Sequence, residues 1–256
     1  MADRPERVVI AGAPVDAVTM DDAVRRIVEH AERRGPPEIV VTPNAHHCAL
    51  LADDPRFREV YADAWLSLPD GTPLLWAARL LGTPLPEKVS GSDLFPRVCA
   101  GAGERGLRVF LLGGRPGAAE GAARRLEAEN PGLRIAGTYC PPMGFERDPA
   151  EVERANAAVR AADPHVLFVG LGAPKQEFYM ADHRAALGVP VSVGVGVSFE
   201  FVAGMVKRAP GWMQAAGLEW FYRVMKEPRR LWKRYATTNP RFVAMVLRQY
   251  REMRRG

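Results

Sequence analysis

The sequence predicts an α/β architecture: a mostly parallel sheet with helices on both faces, followed by a basic amphipathic helical appendage at the C-terminal end. Three observations lead there. Short apolar runs alternate with helical stretches along most of the chain, the pattern of strands covered on both sides. Glycine, proline and aspartate fall at the changes between them. The charge is also unevenly divided, with 13 Lys/Arg against 3 Asp/Glu in residues 207–256 and 22 against 27 in residues 1–206.

Taken in order, Val8–Ile10 reads as a short strand, and Thr19 with Asp21 and Asp22 as a helix start whose acidic first turn suits the dipole. That helix runs through Ala23, Ile27 and His30 to Gly35-Pro36. Glu38–Val41 is a strand ending in Thr42-Pro43-Asn44. Ala45–Leu51 is helical, and Asp54-Pro55-Arg56 starts another helix. Leu66–Leu68 is a strand that ends in Pro69-Asp70-Gly71. Leu107–Leu112, the turn Gly113–Gly117, the helix Ala118–Glu129 and the strand Leu133–Thr138 form the clearest α/β unit. The helix Ala150–Ala162 and the strand His165–Val169 repeat it. Gly170–Pro174 then turns into a helix near Lys175, and Val189–Val197 is the last strand. These alternations make residues 1–206 a Rossmann-like domain. In residues 207–256, Trp212–Glu227 reads as one helix, Pro228 opens a second and Asn239-Pro240 a third. Phe221, Val224, Met225, Leu231, Trp232 and Tyr235 recur at helical spacing, with Arg223, Lys226, Arg230 and Lys233 on another stripe.

Bulk properties narrow the class. With 47% apolar and 25% charged residues, 256 residues suffice for one sizeable core. Cys48, Cys99 and Cys140 are odd in number and lack metal-ligand spacing, which suits free thiols in a reducing cytoplasm. The mixed charges of the first seven residues do not suit a signal peptide. No run approaches the roughly 20 apolar residues of a spanning helix, so work at a membrane means work on its surface. A tail of basic residues interleaved with Trp212, Trp220 and Trp232 suits a surface where phosphate meets apolar material.

Four turns follow expected strands directly: Thr42–Asn44, Asp70-Gly71, Gly113–Arg115 and 170–177. In a parallel sheet the carboxyl ends of the strands share one edge, so these turns converge on one cleft. Taken singly each is ordinary. Asp70 suits a turn as well as a general base, and Thr42 and Asn44 suit a helix cap as well as a ligand. The glycines suit a turn better than a phosphate. Gln176 and Glu177 suit a helix surface. His46 and His47 are adjacent and diverge, without a second ligand cluster for zinc. Neither the Gly113-Gly114 turn nor the Gly170-x-Gly172 turn is a complete G-x-G-x-x-G, and no P-loop is present. On this reading alone an enzyme, a Rossmann-like nucleic-acid-binding module with a basic tail, and a nicotinamide-dependent oxidoreductase all stay open.

The ordered segments Val41–Asn44, Leu68–Gly71, Gly91–Phe95, Val109–Gly114, 169–177, Ala203–Pro210, Gly217–Trp220 and Glu227–Arg230 resemble the WecG/TagA/CpsF family of glycosyltransferases, family twenty-six. The likeness runs to about Tyr235. It implies an inverting, metal-independent transfer of N-acetylmannosamine, or a related hexose or uronic acid, from a UDP-sugar donor to a polyprenyl-diphosphate-linked sugar acceptor. Such products enter teichoic acid, surface-antigen or exopolysaccharide assembly. It implies no cofactor, no nucleic acid, and peripheral attachment to the anionic inner face of the cell membrane; a homo-oligomer is compatible with it. By motif, Asp70 resembles the catalytic base, and Thr42 and Gln176 stand beside it. Asn44, Gly113, Gly114, Arg208, Arg223, Arg230 and Lys233 form the implied substrate-binding set. The absence of any D-x-D motif suits a leaving diphosphate neutralised by arginines, which contact phosphate oxygens in pairs. Two positions depart from the family pattern. Glu200 stands where aspartate is usual and is assigned no role, and Lys233 replaces a frequent arginine with a point charge.

Overall fold

The computed structural model describes residues 5–255, apart from the side chains of Ala215 and Arg230. It opens with an antiparallel hairpin, β1 (Arg7–Ile10) and β2 (Ala13–Asp16), whose second strand the sequence did not announce. The turn places Ala11 at φ 47°, and alanine there carries no hairpin signal. Asp16 is fully buried, pairs with Arg7 at 2.7 Å and accepts from the backbone N–H of Ser67 at 2.7 Å. One carboxylate thus fastens the hairpin to the main sheet.

That sheet contains β3 (Glu38–Val41), β4 (Leu66–Ser67), β5 (Arg108–Gly113), β6 (Arg134–Tyr139), β7 (Val166–Gly170) and β8 (Val191–Gly194). All pair in parallel, in the order β4-β3-β8-β7-β5-β6. Before β3 comes α1 (Met20–Glu32), and between β3 and β4 lie α2 (Ala45–Asp53) and α3 (Pro55–Asp63). After β4 come α4 (Thr72–Leu80) and α5 (Gly91–Glu104), neither resolved by the sequence pattern. Then follow α6 (Ala118–Glu129), α7 (Pro149–Ala162), α8 (Lys175–Leu187) and the short α9 (Ser198–Val202). Thr19 and Asp54 cap α1 and α3 through their side-chain oxygens, as the acidic and hydroxylic starts require.

Strand residues alternate between two cores. Ile39, Val41, Phe110, Leu112, Leu167 and Val169 face a layer that includes Leu51, Phe57, Val159 and Met180. Val40, Val109, Leu111, Phe168 and Val193 face Ile27, Phe95, Leu126 and Phe199. The last strand is shorter than the apolar run Val189–Val197, because the chain turns at Gly196 and enters α9 at Ser198.

The C-terminal segment differs most from its expected outline. The stretch read as one helix is two, α10 (Gly211–Ala215) and α11 (Glu219–Lys226). Gly217, at φ 69°, ends α10 with the Leu218 N–H bonded back to Met213 O at 2.8 Å, a left-handed cap that favours glycine. Conversely, α12 (Pro228–Met253) runs straight through Pro240, where a third helix was expected to begin. A proline inside a helix costs a hydrogen bond, and tertiary packing offsets that loss. Phe242 and Val246 are buried in the first core, Arg241 pairs with Asp53, and Gln249 bonds Val9 O at 2.7 Å and Ala11 N at 2.8 Å.

The far half of α12 is therefore core structure. Phe242→Ala should cost about 3–5 kcal/mol in urea denaturation, whereas Arg248→Ala, on the exposed side, should stay within about 0.5 kcal/mol.

Candidate active site

The carboxyl edge of β3, β4, β7 and β8 opens into a cleft of about 260 Å³, closed on one side by α11 and α12. Its lining brings together Thr42, Asn44, Asp70, Lys88, Ser90, Gln176, Gly196, Arg223, Arg234 and Tyr235. The register explains the convergence: Val41 pairs with Ser67 and Val40 with Val193, so the residues just beyond these strands share one level.

Asp70 stands at the floor of the cleft. Its backbone N–H donates to Pro43 O at 2.8 Å, which fixes one strand-end loop against the next. Asn44 caps α2: its Oδ1 accepts from His46 N at 3.0 Å and His47 N at 3.4 Å. That fixes the amide plane and directs Nδ2 at Asp70 Oδ2, 3.5 Å away. The capping and site-facing readings of Asn44 are one arrangement. Burial pushes the Asp70 carboxyl up to about 6, and the Glu219 charge adds to this; Lys88, Asn44 and Arg223 act in the opposite direction.

Thr42 donates its hydroxyl to Gly194 O at 3.1 Å, tying β3 to β8 across the cleft floor. Gln176 accepts from Gly196 N at 3.1 Å and donates to Glu177 Oε1 at 2.9 Å. Its amide thereby joins the β8 loop to the start of α8. Glu177 is wholly buried, and desolvation pushes its carboxyl up to about 7. His47, 3.7 Å from it, is driven down to about 3 by burial and by the neighbouring His46 and Arg234, so this contact joins two neutral groups near pH 6. Sequence reading had left Glu177 and both histidines without a role, since nothing local shows that they pack behind the cleft.

The remaining candidates are placed differently. Arg223 lines the cleft, while Lys233 is exposed and stands outside the lining. The Arg230 side chain lies outside the described residues. Arg208 is paired with Asp93, whose carboxyl falls to about 2 despite its burial, because Arg208, Ser90 and Lys88 all favour the charged form. Gly113 and Gly114 also stand outside the lining. A Cβ on Gly113 would lie 2.9 Å from the Gly170 carbonyl, so glycine there permits the close approach of β5 and β7. The next backbone N–H, of Arg115, is taken by the buried Glu200 at 3.1 Å. The fourth loop of the cleft is instead the one after β8, Val195–Val197, which the sequence read as strand.

A Rossmann-like sheet with a carboxylate, amides and cationic side chains gathered at its strand ends suits a group-transfer enzyme. The glycosyl transferase WecG/TagA/CpsF family model matches residues 8–256, and the chain belongs to that family of glycosyltransferases. Among similar proteins, the N-acetylglucosaminyldiphosphoundecaprenol N-acetyl-beta-D-mannosaminyltransferase of Bacillus spizizenii is 32% identical over 236 residues, 91% of this chain and 89% of the relative. The Bacillus subtilis protein of the same name is 31% identical over 211 residues, 82% and 79% of the two chains. The enzyme reading of the sequence therefore holds over the binding-module and oxidoreductase readings.

Glu177 binds its proton more tightly folded than unfolded, its value rising from 4.5 to about 7. Its contribution to stability is present below pH 4.5 and is lost as pH rises towards 7. Melting temperature followed across pH should fall over that window, and Glu177→Gln should flatten the fall.

Proposed function

We propose that this enzyme transfers a sugar of the N-acetylmannosamine class from a UDP-sugar to a polyprenyl-diphosphate-linked acceptor, with inversion and without a metal ion. Both relatives are named for N-acetylmannosaminyl transfer to N-acetylglucosaminyldiphosphoundecaprenol, which supports the acceptor class and the sugar. The observation that carries the reading is the Asp70 carboxylate, held by Asn44 in a cleft that Glu219, Arg223 and Lys88 also line.

In this reaction the acceptor hydroxyl attacks the anomeric carbon, its proton passes to the Asp70 carboxylate, and the bond from the anomeric carbon to the UDP oxygen breaks. One base on the face opposite the leaving group yields inversion without a covalent intermediate. The departing diphosphate gains negative charge, which fixed cations stabilise most when the site is closed to bulk water. Arg223 and Arg234, carried on α11 and α12, line the cleft, which supports this role, and Arg230 joins them in the reading by its motif. Residues 207–256 then serve as the segment that completes the site and holds the enzyme against an anionic membrane surface. Exposed Trp212, Met225 and Trp232 among basic residues support that attachment. Among the described residues, no helix is long and apolar enough to cross a membrane.

Asp70→Asn should lower kcat by about 10²–10⁴ in a UDP-release assay while the KM for the donor changes little. Full turnover in that variant would remove Asp70 as the base. The wild type should gain kcat/KM as pH rises through about 6, where Asp70 loses its proton, and the variant should lack this limb. Arg223→Ala should lose more kcat than Arg223→Lys, since lysine restores charge without the paired contact. Activity should survive chelation of divalent ions.

A further inference from the structure

Beside the cleft lies a second cavity of about 300 Å³ that the transfer chemistry leaves unused. It is walled by Trp76, Ala77 and Leu80 of α4 and by Phe242, Val243, Val246 and Leu247 of α12. Four of its large apolar side chains stand open to solvent: Trp76 is 52% exposed, Leu80 46%, Val243 54% and Leu247 41%. A contiguous apolar surface of this kind marks a binding face more often than chance exposure does. Ala45, Pro73, Trp220 and Asn239 line both this groove and the cleft, so the two are joined.

We infer that the groove holds the first isoprene units of the acceptor's lipid chain, an inference that rests on the acceptor class proposed above. The geometry selects this occupant. With the acceptor hydroxyl at Asp70, the acceptor's own diphosphate must lead its attached chain out through some wall, and the wall shared with the groove is apolar at Ala45, Pro73 and Trp220. From Asn239, at the junction, Val243 and Leu247 follow at four-residue steps along one side of α12, a track of about 12 Å. The exposed Arg251 lies further along the same helix and Arg254 just past its end, where an anionic bilayer surface would meet them. The groove therefore leads a chain from the reacting end towards the membrane. It also gives the unbroken course of α12 through Pro240 a purpose, since a third, separately oriented helix would interrupt the track.

Binding of prenyl diphosphates without any bilayer tests this by calorimetry. Each methylene removed from water strengthens binding about four-fold, so farnesyl diphosphate should bind at least about ten-fold tighter than isopentenyl diphosphate. In the double variant Leu80→Gln, Val243→Gln, the ratio should fall to about three-fold or less. Affinity for inorganic diphosphate, melting temperature and binding to anionic vesicles should be unchanged. Equal affinities for the two prenyl diphosphates in the wild type would overturn the inference. So would a ratio that survives the double variant, or a wild-type dimer in light scattering that the variant breaks into monomers with no prenyl preference. Turnover of a lipid-linked acceptor without a chain-length preference would leave the proposed function standing and remove the groove. A chain-length preference without turnover on any UDP-sugar would do the reverse.

Discussion

Parallel pairing of β3 with β8 is the constraint on which the site depends. It sets the ends of two strands far apart in sequence side by side, and the Thr42 hydroxyl closes the junction by donating to Gly194 O. β4 then extends the sheet on the other side of β3, and the loop after it is bonded through Asp70 N to Pro43 O. Because parallel strands all end on one edge, these contacts deliver a carboxylate, a hydroxyl and two amides to one level without any long-range side-chain reach.

Behind that level the polar groups support one another. Asn44 spends its oxygen on capping α2 and its nitrogen on Asp70, so the helix start orients the carboxamide. Gln176 is held at both ends, by Gly196 and Glu177. Buried polar groups in such a layer are costly unless partnered, and the neutral state of Glu177 and His47 reduces that cost. The result is a rigid floor beneath a cleft whose upper wall is made of side chains from the C-terminal helices.

Those helices divide their work. Near the cleft, α11 and the first half of α12 present arginines, Trp220 and Tyr235, with the last two rings 5.8 Å apart. Further along, α12 is fastened to the domain by buried apolar residues and by the clamp of Gln249 on the hairpin. Arg115 reaches Glu227 at 3.0 Å from the opposite side. The segment is basic by composition, yet its last part is anchored as firmly as any core helix.

The sequence by itself determined the strand and helix alternation, the layer architecture and the family, because these follow from local periodicity and from ordered short motifs. It also marked Thr42, Asn44, Asp70, Gln176 and Arg223, all of which line one cleft. Only the tertiary structure decided which glycine turns open onto that cleft, since the turns after Gly113 and Gly170 read alike in sequence yet only the second reaches the lining, through Gly172 and Ala173. It alone decided that Arg208 is held by Asp93, that the loop after β8 is a wall of the cleft, and that α12 continues through Pro240. The reason is physical. Local pattern reports what a segment prefers, whereas strand order and the packing of distant side chains set what it meets, and those energies override the preference.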